Sequence, residues 1–219
     1  MKEMNENQII KGIEDFAKNS TKEFDSGHDW WHLNRVRNLA LLIQQSENRG
    51  NRFIVELAAL LHDVDDKKFR KAEGRGAEEI ITDLLKQYSV EANIIKEVVR
   101  INKYISFSST QKPAVKSIDF EIVQDADRLD AIGAIGVARA FNYGGFKNNA
   151  IYIPGNENGE TEPSTISHFY DKLLKLKDMM NTVTAKQMAE KRHLFLEQFL
   201  DQFYKEWNYT TIPPEVEII

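Results

Sequence analysis

The chain has 219 residues, 42% of them hydrophobic, with no cysteine and a formal net charge of −5. The absence of cysteine excludes disulfides and thiolate metal sites, so a bound metal would need histidine and carboxylate ligands. The acidic balance argues against a nucleic-acid polymer as partner, and no apolar stretch approaches the 18 residues of a membrane span. The polar N-terminus lacks the apolar core of a secretory signal, so we expect a cytoplasmic protein.

Apolar residues recur at helical spacing along nearly the whole first half of the chain. This spacing predicts five helices: one around residues 9–17, one after an N-cap at Asp29, one over about 52–63, one around 80–85, and one capped by Ser89. The third has so few polar residues that we expect it at the centre of the fold. The Ser- and Thr-rich segment 106–113 is predicted to be a connector.

In the second half, a long helix is predicted from about Ile118 to Phe141, ending at Gly144-Gly145. Its many alanines and glycines would let neighbouring helices approach closely, although each glycine costs about 1 kcal/mol of helix propensity. The loop that follows, to Pro163, is long enough to be a functional lid or a disordered segment. Two further helices are predicted, one capped by Ser164 or Thr165 and one by Thr184 in a capping box with Gln187.

No segment shows the alternation of apolar and polar residues that is typical of a strand. The sequence therefore predicts an all-α protein, with residues 1–219 as a single domain. We expect a helical core over about 20–145, a loop over 144–163 and C-terminal helices over about 164–207.

The adjacent residues His62 and Asp63 end the apolar run of the third predicted helix. Buried ionisable groups need a partner or a cation, and His32 and Asp127 offer two further donors on neighbouring helices. Taken singly, each has a plainer interpretation, because a lone helical histidine is more often a surface or core residue and an Asp-Ala-Asp-Arg segment can be a solvated face. Taken together, two histidines and two aspartates would suit one divalent transition metal.

Three segments carry these residues in order: His-Asp-Trp-Trp-His-Leu-Asn-Arg-Val at 28–36, Leu-His-Asp-Val-Asp-Asp at 61–66 and Asp-Ala-Asp-Arg-Leu-Asp at 125–130. This combination resembles the HD phosphohydrolase superfamily. The likeness extends over about residues 20–207 to a bacterial subgroup that is similar to metal-dependent nucleotide pyrophosphohydrolases. It implies a helical bundle, one metal held by His32, His62, Asp63 and Asp127, and hydrolysis of a nucleoside triphosphate to the monophosphate and pyrophosphate.

In that superfamily, a carboxylate four positions after the histidine of the doublet commonly acts near the nucleophilic water. Asp66 occupies this position, where many relatives have glutamate, and the neighbouring Asp65 could substitute for it; the alternative for Asp65 is an exposed acid at a helix end. The predicted cofactor is one divalent metal. Mn²⁺ is favoured, and Fe²⁺, Co²⁺, Ni²⁺, Zn²⁺ and Mg²⁺ are compatible with the ligand set.

Phosphoanhydride hydrolysis also needs positive charge near the non-reacting phosphates. The candidate contacts to a small phosphorylated substrate, a nucleotide by the resemblance, are Arg35, Lys67, His168, Lys172 and His28. His168 and Lys172 share a helix face. Lys67 begins a basic run that is more often a solvated face, and His28 could simply precede the cap at Asp29. Trp30 and Trp31 could stack on a base or belong to the core.

Three other functions stay open at this point. The protein could be a nucleotide phosphomonoesterase, a phosphodiesterase, or a non-catalytic module that binds metal or nucleotide. The four candidate ligands in the sequence would hold only one ion, which argues against phosphodiesterases that use two metals. The sequence leaves homodimer formation open.

Overall fold

The computed structural model of the protein describes residues 5–21, 29–63, 76–105, 116–156 and 162–209. Within these residues the chain forms nine α-helices: α1 Glu6–Ser20, α2 Trp30–Glu47, α3 Arg52–Leu61, α4 Ala77–Gln87, α5 Ala92–Tyr104, α6 Ile118–Asp130, α7 Gly133–Phe146, α8 Thr165–Asp171 and α9 Val183–Trp207. Two short 3₁₀ helices, Leu173–Lys175 and Lys177–Met179, join α8 to α9. The described residues contain no strand, only an isolated bridge between Ala150 and Ser164. The all-α prediction is confirmed.

Helix α3 lies at the centre of the buried core. Its residues from Leu57 to Leu61 are fully buried, and it packs against α1, α2, α5 and α6. This helix begins where the Asn51 side chain accepts hydrogen bonds from two backbone N–H groups, and it ends at Leu61 rather than at 63. His62 therefore occupies the C-cap, at the point where the chain leaves the core.

The predicted long helix over 118–141 is wrong, because the chain turns a corner between α6 and α7. Gly133 has a φ of +77°, a left-handed conformation that glycine adopts without strain. A Cβ at Gly136 would overlap the backbone carbonyl of Ala131. These two glycines therefore allow a tight corner between helices, and α7 continues past the predicted stop to Phe146.

This corner leads to a stability prediction. We expect Gly136→Ala to lower the free energy of unfolding by about 1–3 kcal/mol, because the added methyl group overlaps backbone rather than a flexible side chain. Gly145→Ala is the matched control, since a Cβ at Gly145 meets nothing within 4 Å and alanine favours the helix. Thermal unfolding followed by circular dichroism compares them, and equal melting temperatures for the two variants would contradict the prediction.

Three predicted boundaries can be compared with the described residues. Ser164 caps α8 in a capping box with Ser167, as predicted. Ser89 does not cap α5: it has a φ of +56° after the end of α4, and α5 begins after Glu91. Thr184 is also not a cap, because Thr182 accepts the hydrogen bond from the backbone of Ala185. The predicted connector over 106–113 lies outside the described residues.

The C-terminal helix α9 packs against α2, α6 and α7. Its Leu196 and Leu200 belong to the same buried cluster that includes Ile9 of α1, so apolar contacts run without a break from the first helix to the last. In the part of the chain that the structure describes, no helix combines the length and apolar character needed to cross a membrane. The single-domain boundary stays a prediction.

Candidate metal centre

Four predicted donors converge between α2, the end of α3 and the last turn of α6. The Nε2 atoms of His32 and His62 lie 3.1 Å apart. The Asp63 carboxylate lies 3.3 Å from the first and 3.7 Å from the second. Asp127 approaches the same two nitrogens at 3.6 and 3.7 Å. Two ligands that each lie about 2.1 Å from one metal are separated by about 3.0–3.4 Å at octahedral or tetrahedral angles. The His32–His62 and His32–Asp63 spacings lie in this range, and His32, His62 and Asp63 are mutually close enough to hold a single ion. Asp127 lies slightly further out, at 3.6–3.7 Å from both imidazole nitrogens.

Both imidazole rings are held so that Nε2 faces this common point. The Nδ1 atom of His62 lies 2.8 Å from the Ala59 carbonyl oxygen, and that of His32 lies 2.8 Å from Asp130. Each Nδ1–H donates to its acceptor, so each Nε2 atom faces the other ring. The two Nε2 atoms, 3.1 Å apart, need a positive charge between them, which a proton on His32 supplies without a metal and which a bound metal ion would supply in its place. The ring orientations thus fit a bound metal.

The electrostatics of the centre also favour a positive charge. Burial of the His32 ring tends to lower its pKa, but the hydrogen bond to Asp130 and the neighbouring Asp63 outweigh burial and raise the pKa to about 9. The His32 and His62 side chains are only 1% and 2% exposed, whereas those of Asp63 and Asp127 are 23% and 32% exposed. The imidazoles therefore form the closed side of the site, and the carboxylates form its open side.

Asp130 is the site residue for which the sequence analysis assigned no role. Its carboxylate accepts hydrogen bonds from His32, from Nε and Nη2 of Arg35 at 2.7 and 3.0 Å, and from Nη1 of Arg139 at 2.9 Å. Burial tends to raise the pKa of this carboxyl, but the hydrogen bonds from His32 and Arg35 hold it well below its usual range. The sequence carried one signal for Asp130: it lies three residues after Asp127 in the Asp-Arg-Leu-Asp segment, and residues at this spacing are neighbours on a helix surface.

Of the predicted substrate contacts, Lys172 is close enough to Asp127 and Asp63 for their charges to act on its ammonium group. Its pKa is lowered mainly by burial, while the charges of Asp127 and Asp63 oppose this and that of Arg139 reinforces it. His168, one turn earlier, has a pKa lowered by burial and by Lys172. Arg35 is held by Asp130, with about a third of its side chain exposed. Residues 162–172 thus bring a cation to the metal donors.

The remaining predicted site residues divide into two groups. His28, Asp65, Asp66 and Lys67 lie outside the described residues. Trp30 packs against the core with the ammonium group of Lys18 over its ring, while Trp31 is 63% exposed. The two tryptophans therefore have different environments, and neither supports base stacking by itself.

Comparison with known proteins agrees with this geometry. The HD domain model matches residues 30–132. The protein YpgQ of Bacillus subtilis is 41% identical over 205 residues, which cover 93% of this chain and 96% of YpgQ. The chain belongs to the HD-domain family. The membership implies binding of a divalent metal and places the protein among the metal-dependent phosphohydrolases, which fits the imidazole and carboxylate donors described above.

Solved structures of relatives share the fold. The crystal structure of Bacillus subtilis YpgQ in complex with ADP has a TM-score of 0.74 and 37% identity, covering 90% of this chain and 97% of that one. The structure of an HD-superfamily hydrolase from Bacillus thuringiensis has a TM-score of 0.72 and 42% identity, covering 93% and 99%. The likeness to the YpgQ-like subgroup therefore spans nearly the whole chain, including the C-terminal helices.

Proposed function

We propose that the protein hydrolyses nucleoside triphosphates to monophosphates and pyrophosphate. The observation that carries the proposal is the pair of inward-facing Nε2 atoms, 3.1 Å apart, with two partly exposed carboxylates on the open side. A site that is closed by imidazoles and open at its carboxylates leaves room for water and substrate. The choice of a nucleotide is supported by the relative YpgQ, whose structure was solved with ADP.

His32, His62, Asp63 and Asp127 are the proposed ligands of one divalent metal, with Mn²⁺ favoured. When bound, such an ion would lower the pKa of a water molecule and draw negative charge from a phosphoryl oxygen. Asp130 orients the His32 ring, and the Ala59 carbonyl oxygen orients the His62 ring. These two contacts fix which nitrogen of each ring faces the ion.

The other roles in the proposal belong to groups around the metal. Asp66, or Asp65 beside it, would accept the proton of the attacking water. His168 on α8 and Lys172 just after α8 would contact the phosphates, with further contacts from Arg35, Lys67 and His28. Lys172 is well suited to this, because a partly buried ammonium group interacts more strongly with an anion than a solvated one does.

The test is hydrolysis by the purified protein of a panel of nucleotides with Mn²⁺ or Co²⁺. We expect a nucleoside monophosphate and pyrophosphate as products, and no turnover after chelation. His62→Ala should lower turnover by more than about 100-fold, beyond the loss typical of a residue that only supports a ligand. Asp178→Asn on the exposed surface is the control and should retain full activity.

The products also separate the alternatives. Orthophosphate released from monophosphates would identify a phosphomonoesterase, and an opened cyclic or linear diester would identify a phosphodiesterase. If His62→Ala only lowers the melting temperature, and the wild type releases nothing with any metal, the metal is structural and the proposal is wrong.

A further inference from the structure

The buried carboxylate of Asp130 is held from two neighbouring helices. Its Oδ2 atom accepts hydrogen bonds from Nδ1 of His32 at 2.8 Å and from Nη2 of Arg35 at 3.0 Å, and both of these residues belong to α2. The same oxygen accepts a third hydrogen bond, at 2.9 Å, from Nη1 of Arg139 on α7. Among the described residues, Arg139 therefore supplies the contact to this carboxylate that comes from outside α2 and α6.

The contact from α7 fixes what the contacts from α2 leave free. His32 and Arg35 lie three residues apart on one helix, so they fix the carboxylate relative to α2. Arg139 fixes it relative to α7, which follows directly after the helix that carries Asp130. The His32 and Asp130 side chains are only 1% and 2% exposed, so water has little access to replace a missing donor. The direction in which Oδ2 faces the His32 ring therefore depends on Arg139 as well as on α2.

The corner between α6 and α7 determines where Arg139 lies. A Cβ at Gly133 would lie 3.1 Å from Cγ of Arg192 on α9, so the stem of that arginine packs directly against the corner. The guanidinium of Arg192 donates to the Leu129 carbonyl oxygen in the last turn of α6. Arg139 follows six residues after Gly133, about 9 Å along α7. It therefore reaches Asp130 from a helix whose start is held by α9.

We infer that Arg139 is a positioning residue of the metal centre, which deepens the proposed function and rests on its ligand set. Arg139 holds Asp130, and Asp130 holds the His32 ring so that Nε2 faces His62 and Asp63. Arg139 thus acts through a carboxylate rather than by binding the ion. Helix α7 becomes part of the metal centre, although none of the four proposed ligands lies on it.

The sign of the effect on metal binding separates positioning from simple charge. A guanidinium near a divalent cation repels it, so removal of the charge alone would strengthen metal binding. Loss of a group that orients a ligand weakens metal binding, typically by about 10- to 100-fold. We expect positioning to prevail, so that Arg139→Gln and Arg139→Met each bind a divalent metal at least about tenfold more weakly than the wild type. Arg139→Lys keeps a donor for Asp130 and should recover part of the affinity.

The test is a competition titration of Zn²⁺ against a chelating dye, with circular dichroism melting of each variant. Arg100→Gln is the matched control: Arg100 is 26% exposed, against 20% for Arg139, and it also pairs with a carboxylate, that of Glu97. Arg100 further contacts Ser117 at the start of α6, the opposite end of that helix from the metal donor. Arg100→Gln should therefore bind Zn²⁺ like the wild type, whatever its effect on the melting temperature.

The outcomes distinguish the role of Arg139 from the proposed reaction. If the folded Arg139→Gln or Arg139→Met protein binds Zn²⁺ as tightly as the wild type, or if Arg100→Gln weakens binding equally, Arg139 has no positioning role even in an active enzyme. An Arg139→Lys protein that binds no better than Arg139→Gln would also contradict the role. If the wild type hydrolyses no nucleotide but Zn²⁺ binding still depends on Arg139, the proposed reaction fails and the positioning role stands.

Discussion

Asp130→Asn is expected to weaken binding of a divalent metal by about 10- to 100-fold, the range typical of residues that orient a ligand. The wild-type carboxylate accepts hydrogen bonds from His32, Arg35 and Arg139. An asparagine keeps only one acceptor oxygen. Its NH₂ group replaces the second carboxylate oxygen and would face the hydrogen-bond donors that now bind that oxygen. If the amide donates to Nδ1 of His32, the proton moves to Nε2, and that nitrogen can no longer bind a metal.

The measurement is a competition titration of Mn²⁺ or Zn²⁺ against a chelating dye, with Asp178→Asn as the control for the same change on an exposed side chain. Asp130→Ala tests the same contact more severely, because it leaves the guanidinium groups of Arg35 and Arg139 without their acceptor. It should therefore also lower the melting temperature. An Asp130→Asn variant that binds metal as tightly as the wild type would show that His32 is oriented by something else.

The donors of the metal centre could be proposed from the sequence because they occur together and in order, although each one alone has a plainer interpretation. His62 and Asp63 end a run of apolar residues, and a run of that kind indicates a buried helix. His32 lies just after a helix cap at Asp29, and the structure has that cap. Side-chain type and order along the chain were therefore sufficient to select these residues, and the structure brings all four together.

The roles of Asp130 and Arg139 depend on a feature that helical periodicity does not show. Alanines and glycines continue through residues 126–140, so the pattern favoured one long helix. The corner at Gly133 reverses this expectation, because it turns α7 back toward the end of α6 and lets Arg139 contact Asp130. In one straight helix these two residues, nine positions apart, would lie about 13 Å apart along the axis.

The helix caps show the same limit on a smaller scale. Thr182 and Thr184 are equally good cap residues by type. Gln187, three residues after Thr184, favoured Thr184, whereas the observed cap is Thr182. The choice is made by a distant residue, since the Thr182 backbone N–H and hydroxyl both donate to Asp125 on α6. Where a tertiary contact decides a boundary, local sequence gives only the candidates.

That contact leads to the largest stability effect we expect, for Asp125→Ala. The Asp125 carboxylate is fully buried and accepts hydrogen bonds from Asn181 at 2.9 Å and from the Thr182 backbone and hydroxyl at 2.7 and 2.9 Å. Alanine would leave these donors buried without an acceptor at the N-terminus of α9. We expect a loss of roughly 3–5 kcal/mol in the free energy of unfolding and a melting temperature lower by roughly 10 °C.

Asp201→Ala provides the contrast, because Asp201 makes an exposed ion pair with Lys205 on α9 and its removal should change stability by less than about 0.5 kcal/mol. Asp125→Asn keeps an acceptor oxygen and should lie between the two. Urea unfolding curves compare the three variants. An Asp125→Ala protein as stable as Asp201→Ala would mean that α9 is held by its apolar face alone.

Asp125 and Asp127 are two positions apart on α6, so their side chains point to opposite sides of the helix. One side holds the start of α9, and the other faces the metal donors. A folded Asp125→Asn variant should therefore have a lower free energy of unfolding, while its metal affinity stays close to that of the wild type. A loss of metal affinity as well would indicate that the variant disturbs α6 itself.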